Sequence, residues 1–226
     1  MRSVSDTLLL AAASASSGAP SDPFFADVQL LLHGEGANGG TVFTDSSSFN
    51  KPLVTTGDAT TSTTNFKFGT SSILFGGSGN VQMTAASQDP WISMGTGLYT
   101  AEWWVYIGSS GISGSFFRNG SAQLTYNSNT IRLYSVDYGS LFLNTGQSLT
   151  PAVWTHLAVV QTASTTVVYV NGVGYNVGYK VGTTTLSPIN IGSSGFTGYI
   201  DELRVTKGVA RYTANFTPPT APFPDF

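Results

Sequence analysis

Short runs of alternating apolar and polar residues, broken every few positions by glycine-containing turns, commit this chain to β-structure. The clearest run is TTVVYVNGVGYNV over 165–177, where Asn171 and Gly172 separate two alternating halves. A two-residue hairpin turn needs positive φ at both central positions, and Asn-Gly supplies it, so a tight hairpin is predicted here. LYTAEWWVYI over 98–107 is dense in aromatic and β-branched residues and predicts a central strand. Further strands are expected at 27–33, within 71–83 on both sides of a Gly turn, and at 131–136, 140–144, 154–161, 187–192 and 196–205. At most one helical turn is expected, in 207–213. Strand following strand without amphipathic helices predicts an all-β fold, a two-sheet antiparallel jelly-roll sandwich.

Charge narrows the function. Only 9% of the 226 residues are charged, against the usual quarter. The nine Lys and Arg residues are scattered, which argues against nucleic acid as a partner. No apolar stretch reaches membrane-spanning length, so no membrane insertion is expected. The absence of cysteine excludes a disulfide framework, a Cys-ligated zinc and a thiol nucleophile. A chain this poor in charge is suited to an assembly, and a homo-oligomer is expected.

The two ends differ from the middle. Residues 1–23 form a small-residue arm with Leu8, Leu9 and Leu10 at its apolar centre. It shares features with a secretory signal, but Asp6 and the short apolar run at 8–13 favour an attachment arm. Residues 24–215 are read as the sandwich domain, and 216–226 (FTPPTAPFPDF) as a Pro-rich tail. Its rings Phe216, Phe223 and Phe226 are assembly candidates, docking on the domain or on a partner.

Segments along nearly the whole length resemble the laminin-G-like/concanavalin-A-like jelly-roll domains that recur in bacteriophage structural proteins. They are DPFFADVQLLLHGEG (22–36), TVFTDSSSFNK (41–51), KFGTSSILFGGSG (67–79), YTAEWWVYI (99–107), WTHLAVVQ (154–161), VVYVNG (167–172), INIG (189–192) and GYIDELRVTKGVARYTANFTPPTAPFP (198–224). The resemblance implies a two-sheet jelly roll, often calcium-linked, in tail fibres, adhesins or capsid decorations. Many members of the broader fold bind carbohydrate, and a few relatives are glycosidases. Partners would be other virion proteins of the capsid or tail and a host-surface glycan, and the location would be the virion surface.

Glycoside hydrolysis needs two carboxylates across one bond, and no strand carries the i, i+2 acidic spacing that would present them on one face. No enzymatic activity is therefore expected. His33 and His156 read as structural. Asp201 falls on the face that alternation assigns to Tyr199, Leu203 and Val205, with Glu202 and Arg204 opposite and able to pair. A carboxylate there is either a Ca²⁺ ligand, completed near Glu35, Asn38 and Asp45, or an acceptor of backbone N–H groups that locks strands together. Adjacent Trp103 and Trp104 must face opposite ways, one into the core and one to the outer sheet surface or beneath a loop. Trp91, Tyr138, Tyr175 and Tyr179 are the candidates for ligand recognition on loops. The leading expectation is a non-enzymatic virion structural protein. A carbohydrate-binding module or adhesin is the alternative, and a glycan-cleaving enzyme the weakest reading.

Overall fold

A computed structural model describes residues 21–83, 95–119, 122–127, 130–135, 141–181, 189–193 and 195–226. Leu8, Leu9, Leu10, Trp91 and Tyr138 lie outside the described residues. The described chain is a sandwich of two antiparallel sheets, as the strand pattern predicts.

The first sheet contains β1 (Val28–Leu32), β3 (Thr60–Ser62), β4 (Ser72–Gly76), β6 (Tyr99–Tyr106), β11 (Thr155–Gln161), β12 (Thr166–Val170), β13 (Val173–Asn176) and β15 (Thr197–Lys207). Its order is β13-β12-β11-β6-β15-β4-β3. The long β15 has β6 along one side, and β4 and β1 end to end along the other. The second sheet contains β2 (Leu53–Thr56), β5 (Asn80–Met83), β7 (Gly114–Asn119), β8 (Ala122–Asn127), β9 (Thr130–Ser135), β10 (Leu141–Asn144) and β14 (Ile189–Ser193), in the order β10-β9-β8-β7-β14-β5-β2.

The inner faces meet in one continuous apolar core. Trp103 of β6 stacks on Phe117 of β7 with ring centroids 5.5 Å apart, joining the centres of the two sheets. Phe75, Phe196, Phe116 and Tyr126 continue the aromatic contact along the core. Period-2 alternation places Phe75, Trp103 and Tyr126, while a bulge in β7 between Ser115 and Phe117 lets the adjacent Phe116 and Phe117 both enter the core.

The departure from simple alternation that matters most for the fold's charges is in β15. β15 pairs with β6 in register as far as Asp201 opposite Trp104, then resumes at Arg204 opposite Glu102. Glu202 and Leu203 thus oppose the single residue Trp103, a β-bulge, and Glu202 has φ +48°. The extra residue changes the phase: Ile200, Leu203 and Val205 all enter the core. The sequence expectation that Leu203 and Val205 share a face with Tyr199 and Asp201 is therefore corrected. So is the expected Glu202–Arg204 pairing, since Glu202 bonds His33 and Arg204 bonds Glu102 and Asp22.

The outer face of the first sheet is closed by two segments of the chain itself. Directly opposed residues on neighbouring strands share a face, so Tyr169, Ala158, Glu102, Arg204 and Leu31 form one row across five strands. Over it lie the segment from Asp22 to Asp27 and the closing segment after Gly208. Asp22 N–H donates to the Phe226 carbonyl at 3.0 Å, so the two covering segments also bond to each other. Phe223 is buried over the Arg204 guanidinium, 3.9 Å from ring centroid to carbon. Phe216 is half-buried and stacks on Tyr212 at 3.5 Å. Trp104 is buried on this same side, edge-on to Phe68, with Lys67 Nζ 4.1 Å from the ring centroid.

Phe216 and Phe223 are thus docked on their own domain, and of the three tail rings Phe226 alone is exposed. The expected domain limits at 24 and 215 fall inside packed structure, because Asp22 and Phe223 both contact Arg204.

The predicted hairpin is present, with φ +48° at Asn171 and +78° at Gly172. Gly172 has a second duty. Phe216 N–H donates to its carbonyl at 3.0 Å, and a Cβ at 172 would stand 1.8 Å from the Phe216 carbonyl oxygen. Gly172→Ala should therefore destabilise the fold by about 1 kcal/mol or more, through φ strain and displacement of the tail. A urea denaturation midpoint equal to that of the parent would contradict this.

Candidate functional site

A binding surface has to be accessible, which removes the outer face of the first sheet. Its charges are paired beneath the ends. Glu102, fully buried, accepts from Arg204 Nε at 3.1 Å and Nη2 at 2.7 Å, and from the Tyr212 hydroxyl at 2.6 Å. Asp22 accepts from Arg204 Nη1 at 2.9 Å and from both terminal nitrogens of Arg211. His156 Nε2 lies 3.4 Å from Glu102 Oε2. Burial works against the Glu102 anion, but the Arg204 charge, His156 and Tyr212 together outweigh it, and the carboxyl is held down to about 2. These groups hold the sandwich's cover in place.

The outer face of the second sheet is different. Strands β7, β8 and β9 present Arg118, Gln123, Thr125, Arg132 and Tyr134 outward, while Phe117, Leu124, Ile131 and Leu133 point into the core. At one end of these strands lies an open cleft of about 420 Å³, lined by Ser113, Ser115, Gln123, Thr125, Asn127 and Tyr134 among others. The lining is hydroxyl, amide and the two phenols of Tyr126 and Tyr134, with no carboxylate among it. The Gln123 amide makes no hydrogen bond within the described residues. Amide and hydroxyl groups beside an aromatic ring match the alternating polar and C–H surfaces of a sugar. Without a carboxylate pair, the described lining offers no acid and base for glycosidic cleavage.

The expected calcium carboxylates are elsewhere and already engaged. Asp45 is buried and accepts from Leu31 N–H, Ser47 N–H, Ser47 Oγ and Lys51 N–H, each at 2.9 Å. Glu35 accepts from Thr70 N–H at 2.9 Å and from the Thr70 and Ser71 hydroxyls. Asp201 Oδ2 accepts from Lys67 N–H at 2.7 Å and Phe68 N–H at 3.2 Å, and Oδ1 from Glu202 N–H at 2.9 Å. Asn38 Oδ1 accepts from Thr63 N–H at 3.2 Å. Among the described residues no three acidic or histidine side chains gather closely enough to hold one ion. As arranged, these carboxylates pin backbone segments, and the set does not fit a calcium ion. Asp201 ties the 63–71 loop to β15, while Glu202, through His33 at 2.9 Å and Phe223 N–H at 2.8 Å, ties in the end of β1 and the tail.

The aromatic candidates divide similarly. Tyr175 and Tyr179 are half-buried and pack against the main core. The ring that does line a cleft, Tyr134, was not singled out from the sequence. Its signal was present: in IRLYSV, alternation places Ile131 and Leu133 inward and leaves Arg132 and Tyr134 outward.

Comparison with known proteins agrees with this architecture. The family profile described as "Concanavalin A-like lectin/glucanases superfamily" matches residues 75–211. Among curated proteins, none matches the chain. Several solved structures share its fold. Domain 4 of AbnA, an extracellular GH43 arabinanase from Geobacillus stearothermophilus solved with arabinotriose, is 19% identical with a TM-score of 0.56, over 72% of this chain and 86% of that one. The binding domain of botulinum neurotoxin DC in complex with SialylT is 13% identical with a TM-score of 0.60, over 82% of this chain and 49% of that one. Trypanosoma rangeli sialidase in complex with sialic acid is 16% identical with a TM-score of 0.54, over 80% of this chain and 31% of that one. The chain thus spans half or less of the last two. At these identities the likeness is one of fold.

The Asp201 site gives a pH test. Burial pushes the Asp201 carboxyl up, the Lys67 and Phe68 N–H groups oppose this, and the Glu202 charge adds to the rise, to about 7. A folded-state value above the unfolded one means stability is lost as pH climbs from about 4 through 7. His33 is also raised: burial opposes its charge, and Glu202 more than compensates, so it contributes with the same sign. Asp201→Asn removes the Asp201 part and, because the Asp201 charge helps to raise His33, reduces the His33 part with the same sign. The variant's melting temperature relative to the parent should therefore climb between pH 5 and pH 8. A difference that stays constant across that range would show that Asp201 does not titrate there.

Proposed function

The chain belongs to the concanavalin A-like lectin/glucanases superfamily, and on that premise we propose that it is a saccharide-binding domain without hydrolytic activity. The binding surface is the outer face of the second sheet, centred on Gln123, Thr125 and Tyr134. The observation that carries this reading is the contrast between the two outer faces. One is sealed by the chain's ends over paired charges. The other is open, with a polar cleft beside an aromatic ring. Sugar complexes of structural neighbours, an arabinanase domain with arabinotriose and a neurotoxin binding domain with SialylT, support the choice of ligand class.

Of the two leading expectations, saccharide recognition is the better supported. Virion assembly drew on the resemblance and on the two ends as attachment devices. The tail rings Phe216 and Phe223 are instead used within the domain, which leaves the tail less to offer a partner. Display of the domain on a particle surface remains compatible with glycan recognition and would give it a purpose in host attachment.

A glycan array probed with the purified protein should return a defined set of saccharides. Tyr134→Ala should weaken the best of them by about fivefold or more, since stacking on a ring contributes about 1 kcal/mol. Melting temperature should be nearly unchanged. No reducing ends should be released on long incubation. Release of sugar, or affinity indifferent to Tyr134, would reject the proposal.

A further inference from the structure

We infer that the saccharide taken by this face is anionic, and that Arg132 is the group that reads its charge; the inference rests on the binding reading above. Cross-strand pairing lays out the surface as a grid. One row runs Asn190, Arg118, Gln123, Tyr134 across β14, β7, β8 and β9. The next row, two residues along, runs Thr125, Arg132, Asn144. Residues directly opposite share a face, and diagonal neighbours lie within reach of long side chains. Gln123 therefore has Arg118 directly beside it and Arg132 on the diagonal, with Tyr134 completing the square. The described residues of this face carry two cations and no carboxylate, although the whole chain has a net charge of −3.

Arg132 differs from the arginines of the opposite face. The guanidinium groups of Arg204 and Arg211 are paired with Asp22 and Glu102. Arg132 Nε is buried and has no hydrogen-bond partner. No side-chain hydrogen bond or ion pair is formed by Arg132 among the described residues. Arg132 as a whole is half-buried, so its terminal nitrogens reach the surface while Nε does not; a buried N–H without an acceptor is unfavourable, and an anion held by the terminal nitrogens would offset that cost. The planar fork of N–H donors fits a carboxylate or sulfate through two parallel bonds. The ligand chemistry that fits is thus a sugar ring for Tyr134 and Gln123, bearing an acidic substituent toward Arg132.

Titration calorimetry with matched probes tests this. The charged ligands are trigalacturonate, sialyllactose and a sulfated galactan trisaccharide; the neutral counterparts are galactotriose and lactose. At least one charged ligand should bind about tenfold or more tightly than its neutral counterpart. Its affinity should fall as salt rises. Arg132→Gln should abolish the preference, and Arg132→Lys should keep part of it. If the glutamine variant does not fold, the charged-neutral difference and the salt dependence in the unaltered protein still decide the matter. Equal binding of charged and neutral partners, or a preference that survives Arg132→Gln, overturns the inference. Neutral sugars bound in a Tyr134-dependent manner would overturn it while leaving the saccharide-binding function standing. Binding of none of these probes, with an empty glycan array, would remove both. Separating carboxylate from sulfate follows from which charged probe is preferred.

Discussion

Arg204 sits between two buried carboxylates, Glu102 beside it in the sheet and Asp22 from the N-terminal segment, and much of the molecule is arranged to make that tolerable. An isolated guanidinium or carboxylate inside a protein carries a desolvation penalty of several kcal/mol. Here each charge is met. Arg204 joins both carboxylates, Arg211 doubles the contact to Asp22, and Tyr212 donates to Glu102. Removing one member would leave the others buried and uncompensated, a loss of about 3–5 kcal/mol in comparable cases. The network also has a directional effect. It can form only when residues from near both ends of the chain lie over the middle of the first sheet.

That requirement sets the use of the rest of the surface. With the ends committed to one sheet, Phe24, Tyr212, Phe216 and Phe223 become part of its cover. The bulge at Glu202 contributes to the same arrangement. By adding one residue to β15 it keeps Leu203 and Val205 in the core and delivers Glu202 to His33 and to the backbone of the tail. Among the described residues nothing comparable covers the Gln123–Tyr134 region of the second sheet, where the outward residues are polar. Structural closure and recognition are thus divided between the two faces of one sandwich.

The comparison of expectation with structure follows the same physics. Strand positions were readable because alternation and turn residues are local properties, and the Asn171–Gly172 hairpin follows from φ preferences alone. The faces of β15 were misread because a bulge shifts phase without any mark in composition; Glu202 is not a residue type that advertises positive φ. Tyr175 and Tyr179 look like loop residues in sequence, yet they close the edge of the core. Tyr134 could be assigned outward by counting from Ile131, but its importance depends on the cleft formed beside it by β7 and β8.

By itself, then, the sequence determined that this chain builds a two-sheet antiparallel sandwich, since period-2 patterning and turn chemistry act over a few residues. It also excluded thiol chemistry and argued against catalysis, because those depend on which residue types exist. Which face is sealed and which is open was decided only in three dimensions. Asp22, Glu102, Arg204 and Arg211 are up to 189 positions apart in the chain, and no local signal shows that they will meet. Burying charge requires all partners at once, so the pairing, and with it the location of the free surface, exists only in the folded molecule.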